Sequence, residues 1–193
     1  MYKLCKTEQS AQRQRQLEEG LQELMRIRPY DEISVVDICE HLNIPRKSFY
    51  RYFSSKEGAL HALIDHTLME YEGCNFVYRA GENRTLHREL IQFFQFWIQK
   101  KGFLDVLSRS HMSGMLVERS MAHATSANGM PVRFLPNDTP DTRRQLILFC
   151  ISGLMSTVLT WHHEGYPTTP EQMASIAERL LSQPLFPNME LLL

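Results

Sequence analysis

The sequence predicts an all-α chain in two parts: a helix-turn-helix domain over residues 1–68, then a second helical domain over residues 69–193. Three observations predict it. Apolar residues recur at three- and four-residue spacing almost throughout, and strand-like alternation is absent over any useful length. Helix-capping residues stand just ahead of these runs. The stretch IPRKSFYRYFSSKE, residues 44–57, threads Arg46, Lys47, Arg51 and Lys56 among Phe49, Tyr50, Tyr52 and Phe53, with no acid before Glu57.

The elements follow in order. Leu17, Leu21, Leu24 and Met25 repeat at helical spacing, and Pro29 ends that helix. Ser34-x-x-Asp37 reads as a capping box, behind which Val35, Ile38, Cys39 and Leu42 share a face. Asn43 can close this short helix and Pro45 can open the next. Ser54-x-x-Glu57 reads as a second box, followed by Leu60, Leu63, Ile64 and Leu68 on one stripe. Thr85 can cap a helix holding Leu86, Leu90, Phe93, Phe94, Phe96 and Trp97, which Lys100-Lys101-Gly102 should end. Residues 103–124 predict one or two helices, and TSANGMPVRFLPNDTPD, residues 125–141, a loop. A long helix is expected from Thr142 to His163, stopped by Gly165 and Pro167. Thr169-Pro170-Glu171-Gln172 then starts a last helix with Met173, Ile176, Ala177, Leu180 and Leu181 on one stripe.

Composition bounds what such a chain can do. With 43% hydrophobic residues over 193 positions it can bury a real core. Its net charge of −1 gives no global attraction to nucleic acid or membrane, so any nucleic-acid surface must be a local stripe. Cys5, Cys39, Cys74 and Cys150 are far apart and form no C-x-x-C, and MYKLCKTEQS has no apolar signal region. The expectation is free thiols in a reducing cytoplasm. LILFCISGLMSTVLTW, residues 146–161, is uncharged but shorter than the ~20 residues that span hydrocarbon. It is expected to be a helix buried between other helices, with no membrane partner.

On a helix, Phe49 and Phe53 share a face and can close a small core with Ile44, Val35, Ile38 and Leu42. Arg46, Lys47, Tyr50 and Arg51 then point outward. Such a helix can enter a major groove, its first residues reaching base edges while hydroxyls and cations reach phosphates. Lys56, in the first turn of the following helix, adds a charge to free backbone N–H groups and suits one phosphate oxygen.

ISVVDICEHLNIPRKSFYRYFSSKEGAL, residues 33–60, resembles the DNA-binding region of the TetR (TetR/AcrR) family of bacterial transcriptional regulators. The shared pattern is Thr-x-x-x-Ile-Ala … Gly-Val-Ser-x-x-x-Phe-Tyr-x-Tyr/His-Phe-x-x-Lys-Glu, over about fifty residues. The resemblance implies phosphate contacts at Ser34, Tyr50, Tyr52 and Lys56, and base-facing positions at Arg46, Lys47 and Ser48. Pro45 stands where a capping Ser is common, Lys47 where a small residue is common, Cys39 for the usual Ala and Asn43 for the usual Gly. Base preferences therefore do not transfer from relatives.

For the second part, the resemblance implies effector binding and dimerisation through the last two long helices. The residues agree. Leu146, Cys150, Gly153, Leu154 and Thr157 on one helix, with Met173, Ile176 and Leu180 on the next, could form half of a four-helix interface, in which Ser152, Gly153 and Ser156 allow close approach. Phe93, Phe96, Trp97, Phe103, Met112, Met115 and Trp161 could line an apolar pocket for a small apolar or aromatic effector, with His111 as a polar anchor. No enzyme or cofactor is expected. His162-His163-Glu164 lacks the H-x-x-x-H or H-E-x-x-H spacing of a metal hydrolase, and there is no Gly-rich phosphate loop or G-x-S-x-G. The expectation is thus a ligand-responsive, homodimeric repressor on a palindromic operator of double-stranded DNA. The alternative is an effector-independent architectural or cell-cycle factor of the same fold, which a filled core would favour.

Overall fold

The computed structural model describes residues 2, 5, 7–78, 85–125 and 138–182, with residues 73–78 described by backbone alone. The chain is all-α. Helix α1 (Glu8–Ile27) starts where the Thr7 hydroxyl accepts from Ser10 N–H, and it buries Leu17, Leu21, Leu24 and Met25. A single 3-10 turn, Tyr30–Glu32, leads to α2 (Val35–His41) and α3 (Arg46–Tyr50). The capping box at Ser34 is formed: Ser34 Oγ accepts from Asp37 N–H while Asp37 takes Ser34 N–H at 2.7 Å. Arg28 lies 2.7 Å from the same carboxylate. Hydrogen bonds from Ser34 and then from Arg28 hold the Asp37 carboxyl well below the usual carboxylate range.

Between α2 and α3 the chain turns in a Schellman closure. Asn43 N–H reaches Glu40 O, Ile44 N–H reaches Cys39 O, and Asn43 takes φ 51°. Asn tolerates this left-handed backbone better than most residues, though Gly would do so without cost. Gly20 explains how close α1 lies to this turn: a Cβ there would stand 2.7 Å from Leu42 Cδ1.

Helix α4 (Lys56–Tyr78) is capped by Ser55, whose hydroxyl accepts from Gly58 N–H at 3.1 Å, not by the expected Ser54. The helix therefore begins one residue later in frame, with Lys56 at its first position. It runs unbroken through residue 68, the expected domain boundary, and carries the first core into the second.

The second part holds α5 (Leu86–Gln99), α6 (Lys101–Arg109), α7 (Ser113–Ala124), α8 (Pro140–His163) and α9 (Pro170–Ser182). Thr85 caps α5 as expected, and Thr169 with Gln172 makes the reciprocal box ahead of α9. Helix α5 ends at Lys100, within the expected Lys100-Lys101-Gly102. Only Lys100 breaks the helix, and Gly102 lies inside α6, because α6 restarts at once to bury Phe103, Leu104, Val106 and Leu107. Residues 103–124 thus fall in two helices. Helix α8 starts at Pro140 under a Thr139 cap, two residues before the expected Thr142. Of the expected loop, residues 126–137 lie outside the described residues.

Helix α5 packs along α9 and α7 along α8, while α4 lies against both α1 and α7. Polar joints fix several of these crossings. Asp65 of α4, buried, receives the Arg119 guanidinium of α7 (Nε 2.7 Å from Oδ1) and the Tyr2 phenol at 2.7 Å. A buried carboxylate needs this compensation, since an unpaired one costs several kcal/mol. His66 contacts Glu18 at 2.7 Å, His123 contacts Glu72 at 2.9 Å, and His87 contacts Glu178 at 2.8 Å. Helix α8 is expected to lie buried between other helices, with residues of its stripe in a dimer interface. It is buried on one side only, through Ile151, Leu154, Met155, Val158 and Trp161, and by length and composition alone it could cross a membrane.

Candidate nucleic-acid interface

Phe49 and Phe53 make the reading helix possible. Both rings are fully buried with centroids 5.2 Å apart, packed into the core that holds Ile38 and Cys39, with Val35, Leu42 and Ile44 at its edge. That inward anchor turns the other side of α3 outward. Arg46, Lys47 and Arg51 are exposed, Tyr50 is 52% exposed and Ser48 is half-buried. Pro45 opens α3 with no side-chain cap, as the loss of a capping Ser implies. The result is a five-residue helix whose free face carries three cations and a phenol. This is an arrangement suited to base edges and phosphates.

Three of the expected phosphate-contacting side chains have partners within the chain. Tyr52 is only 9% exposed, its ring tilted against Phe53, because the turn after α3 carries it into the core. The Ser34 hydroxyl is engaged with Asp37 in the capping box. Lys56 sits at the α4 N-terminus, yet its ammonium turns inward. It donates to Tyr30 O and Ile33 O, each at 2.6 Å, and lies 3.9 Å above the Tyr30 ring. Burial pushes the Lys56 ammonium down in pKa, against the raising effect of Asp31 and Asp37. Burial, then the charges of Glu57 and Asp31, pushes the Tyr30 phenol up to about 12. Sequence spacing places a lysine at a helix start but does not say that two carbonyls lie within its reach.

The expected effector residues form a packed cluster. Phe93, Phe96, Trp97, Phe103 and Trp161 are buried, and Met112 and Met115 are half-buried against them. Ring centroids of Phe96 and Trp97 lie 5.3 Å apart, those of Phe96 and Tyr71 5.2 Å, and those of Phe94 and Trp161 5.6 Å, mostly edge to face. His111 is exposed on the α6–α7 corner with φ 57°, whereas the rings are buried. One polar atom inside the cluster is unspent. Trp97 Nε1 is buried and has no hydrogen-bond partner among the described residues, whereas Trp161 Nε1 donates to Thr168 O at 3.1 Å.

The expected dimer residues divide. Leu154 and Met173 are buried in this chain's own core, α9 laying Met173, Ala174 and Ala177 inward. Leu146, Ile176 and Leu180 are exposed, Cys150 and Thr157 are half-buried, and Phe149 is 74% exposed. An open groove of about 690 Å³ runs along α8 past Leu146, Phe149, Ser152, Gly153 and Ser156. No other part of the chain lies within 4 Å of where a Gly153 Cβ would stand. Each of the two helices therefore leaves apolar side chains on an outer face, and on α8 that face is floored by small residues. His162, by contrast, is occupied by Asp105 at 2.7 Å, while His163 is exposed. Among the described residues no three His, Cys, Asp or Glu side chains converge as metal ligands would.

Residues 20–63 match the family of bacterial regulatory proteins described as the tetR family. No curated protein matches the sequence. Among solved structures, the chain is similar to a TetR transcriptional regulator from Streptococcus agalactiae 2603V, at TM-score 0.61 and 17% identity, covering 91% of this chain and 96% of that one. It is similar to DhaS, a dihydroxyacetone kinase operon activator, at TM-score 0.54 and 16% identity over 88% of this chain and 93% of that one. It also resembles the fatty acid degradation regulator FadR from Bacillus halodurans, at TM-score 0.54 and 14% identity over 90% and 96% of the two chains. At these identities the likeness is one of fold.

Proposed function

With its N-terminal unit a helix-turn-helix of the tetR family of bacterial regulatory proteins, we propose that the chain is a ligand-responsive transcriptional repressor. It works in the cytoplasm as a homodimer on a palindromic operator. The observation that carries this reading is the outer face of α3: Arg46, Lys47, Tyr50 and Arg51 exposed together, backed by the buried Phe49 and Phe53. Direct base contacts come from Arg46, Lys47 and Ser48, phosphate contacts from Tyr50 and Arg51. The α8–α9 outer face supplies the partner surface, Phe149 and Leu146 against their copies and Ile176 and Leu180 beside them. A dimer places two α3 helices in successive major grooves only when they are about one DNA turn apart, ~34–36 Å or a multiple.

The effector of this reading is an apolar or aromatic molecule bearing a hydrogen-bond acceptor. It opens the cluster of Tyr71, Phe93, Phe96 and Trp97 and satisfies the Trp97 N–H. Binding there shifts α4, which runs from this cluster to the DNA-reading unit, and spoils the spacing of the half-sites. By linkage, ligand and operator then weaken each other by the same factor. The close ring-to-ring packing of Tyr71, Phe93, Phe96 and Trp97 favours a second reading, a DNA-binding factor of the same fold that takes no effector.

Selection of bound duplexes from a random pool, with sedimentation of the free protein, tests the DNA half. Inverted half-sites bound by a dimer are the expected result, and bound sequences without symmetry would overturn it. Titration of a thermal-shift hit with and without operator tests the effector half. Equal ligand affinity in both titrations favours the effector-independent reading.

A further inference from the structure

Away from α4, the second domain also grips the first around the end of α1. Tyr30 begins the 3-10 turn between α1 and α2 and is buried. Its N–H donates to Ser110 Oγ at 3.1 Å, in a buried hydrogen bond that crosses from one part of the molecule to the other. Its carbonyl accepts from Lys56 Nζ at 2.6 Å. One turn earlier, the Arg109 guanidinium donates to Arg26 O at 2.7 Å. That oxygen belongs to the last turn of α1, where carbonyls have no partner within the helix.

Ser110 is delivered to this place by the way α6 ends. His111 N–H reaches Ser108 O at 3.0 Å and Met112 N–H reaches Leu107 O at 2.8 Å. His111 takes φ 57° without being a glycine. This tight closure fixes the corner and aims Arg109 and Ser110 at the end of α1. The α1–α2 connection is thus held from two sides: by Ser110 and Arg109 of the α6–α7 corner, and by Lys56 at the start of α4.

We propose that Ser110 is a positioning residue for operator reading. By holding the Tyr30 peptide it sets the angle at which α2 and α3 leave α1, and hence the distance between the two recognition helices of the dimer. The inference rests on the proposed reading of paired half-sites. It adds to that reading a residue that touches no DNA and a route from the second domain that does not pass along α4. If Ser110 loses its hydroxyl, the Tyr30 N–H becomes a buried donor without an acceptor and the connection is free to tilt.

The test uses the full-length protein and a series of duplexes. Each carries the same two selected half-sites, with the spacer varied one base pair at a time, alongside a duplex with a single half-site. Wild-type protein is expected to prefer one spacer. Ser110→Ala is expected to keep the base preference of the single half-site, while its preference for the best spacer over the next falls about tenfold, the scale of one lost buried hydrogen bond. Ser110→Thr, which keeps the hydroxyl, is expected to restore the preference. A uniform loss of affinity across all spacers would mean a merely structural role and overturn the inference, as would an unchanged spacer preference. If Ser110→Ala does not fold, Arg109→Ala alters an exposed donor of the same corner, and an unchanged preference in that variant overturns the inference. Wild-type protein that binds single half-sites with no spacer preference overturns the dimer reading itself.

Discussion

The two ends of this molecule solve opposite problems with the same element. Around α2 and α3, two short helices of seven and five residues are held by caps, a Schellman turn and two buried phenylalanines, and their outer face is cationic. In α8 and α9, two longer helices bury one apolar side in their own core and leave another, with Phe149, Leu146, Ile176 and Leu180, in the open. Helices as short as α3 are not stable alone, so tertiary anchors must supply what length does not. Helix α8 needs no such help. What its outer face lacks is a cover, because apolar surface left in water forgoes about 25 cal/mol per Å². The first region is therefore complete within one chain, apart from its ligand. The second leaves an apolar face bare, the face that the proposed homodimer covers.

The contrast can be broken most forcefully at its anchor. Phe49→Ala removes a fully buried ring from a small core and is expected to destabilise the protein by about 3–5 kcal/mol, read by denaturant titration. Loss of less than about 1 kcal/mol would show that α3 does not depend on this ring.

On the other side, Phe149→Glu is expected to leave monomer stability almost unchanged, because the side chain is 74% exposed. The same change should weaken self-association by about 2 kcal/mol or more if Phe149 is central to the interface. An unaltered sedimentation profile would place the partner surface elsewhere.

Lys56→Met sharpens the first region. It keeps the aliphatic stem but strands two carbonyls, Tyr30 O and Ile33 O. The expected cost is about 1–3 kcal/mol of stability, with the log–log salt slope of DNA binding unchanged. A slope reduced by about one would instead return Lys56 to a phosphate.

Arg46→Ala should leave stability intact, since the side chain is exposed. It is expected to relax preference at one operator position per half-site by about 1–3 kcal/mol if the contact is bidentate. An unchanged selected sequence would remove Arg46 from the groove.

The smallest expected effect is at the turn. Asn43 holds φ 51°, so Asn43→Gly relieves a left-handed residue and should change stability by no more than about 1 kcal/mol, in the stabilising direction. A clear destabilisation would mean that the Asn43 side chain does work beyond the turn.

Much of this was legible in the sequence because it is local. A hydroxyl three residues ahead of a carboxylate makes the Ser34–Asp37 box whatever surrounds it, and the hydroxyls of Thr85 and Thr169 cap their helices as locally, the latter in a box with Gln172. The Phe49–Phe53 spacing likewise puts both rings on one side. Errors of a residue or two, as at Ser54 against Ser55 and Thr142 against Pro140, are also local, because neighbouring hydroxyls and Thr-Pro steps compete for the same cap.

Only tertiary structure decided where groups distant in sequence meet. Periodicity put Leu154 and Met173 on the same stripes as Leu146 and Ile176. Which flank of each stripe turned inward depended on α5 and α7 lying beside them. A row of aromatics at helical spacing reads alike whether it lines a cavity or fills one, and here the rings close on each other. Lys56 looked free because its two carbonyl partners lie more than twenty residues upstream, and Ser110 looked unremarkable because the N–H it accepts is eighty residues away. The sequence by itself determined the helices, their caps and the cationic face of α3, since these follow from neighbours within one or two turns. The packing of α4, α6 and α8 decided which polar atoms would be spent and which apolar faces left bare, because burial is a property of the assembled core.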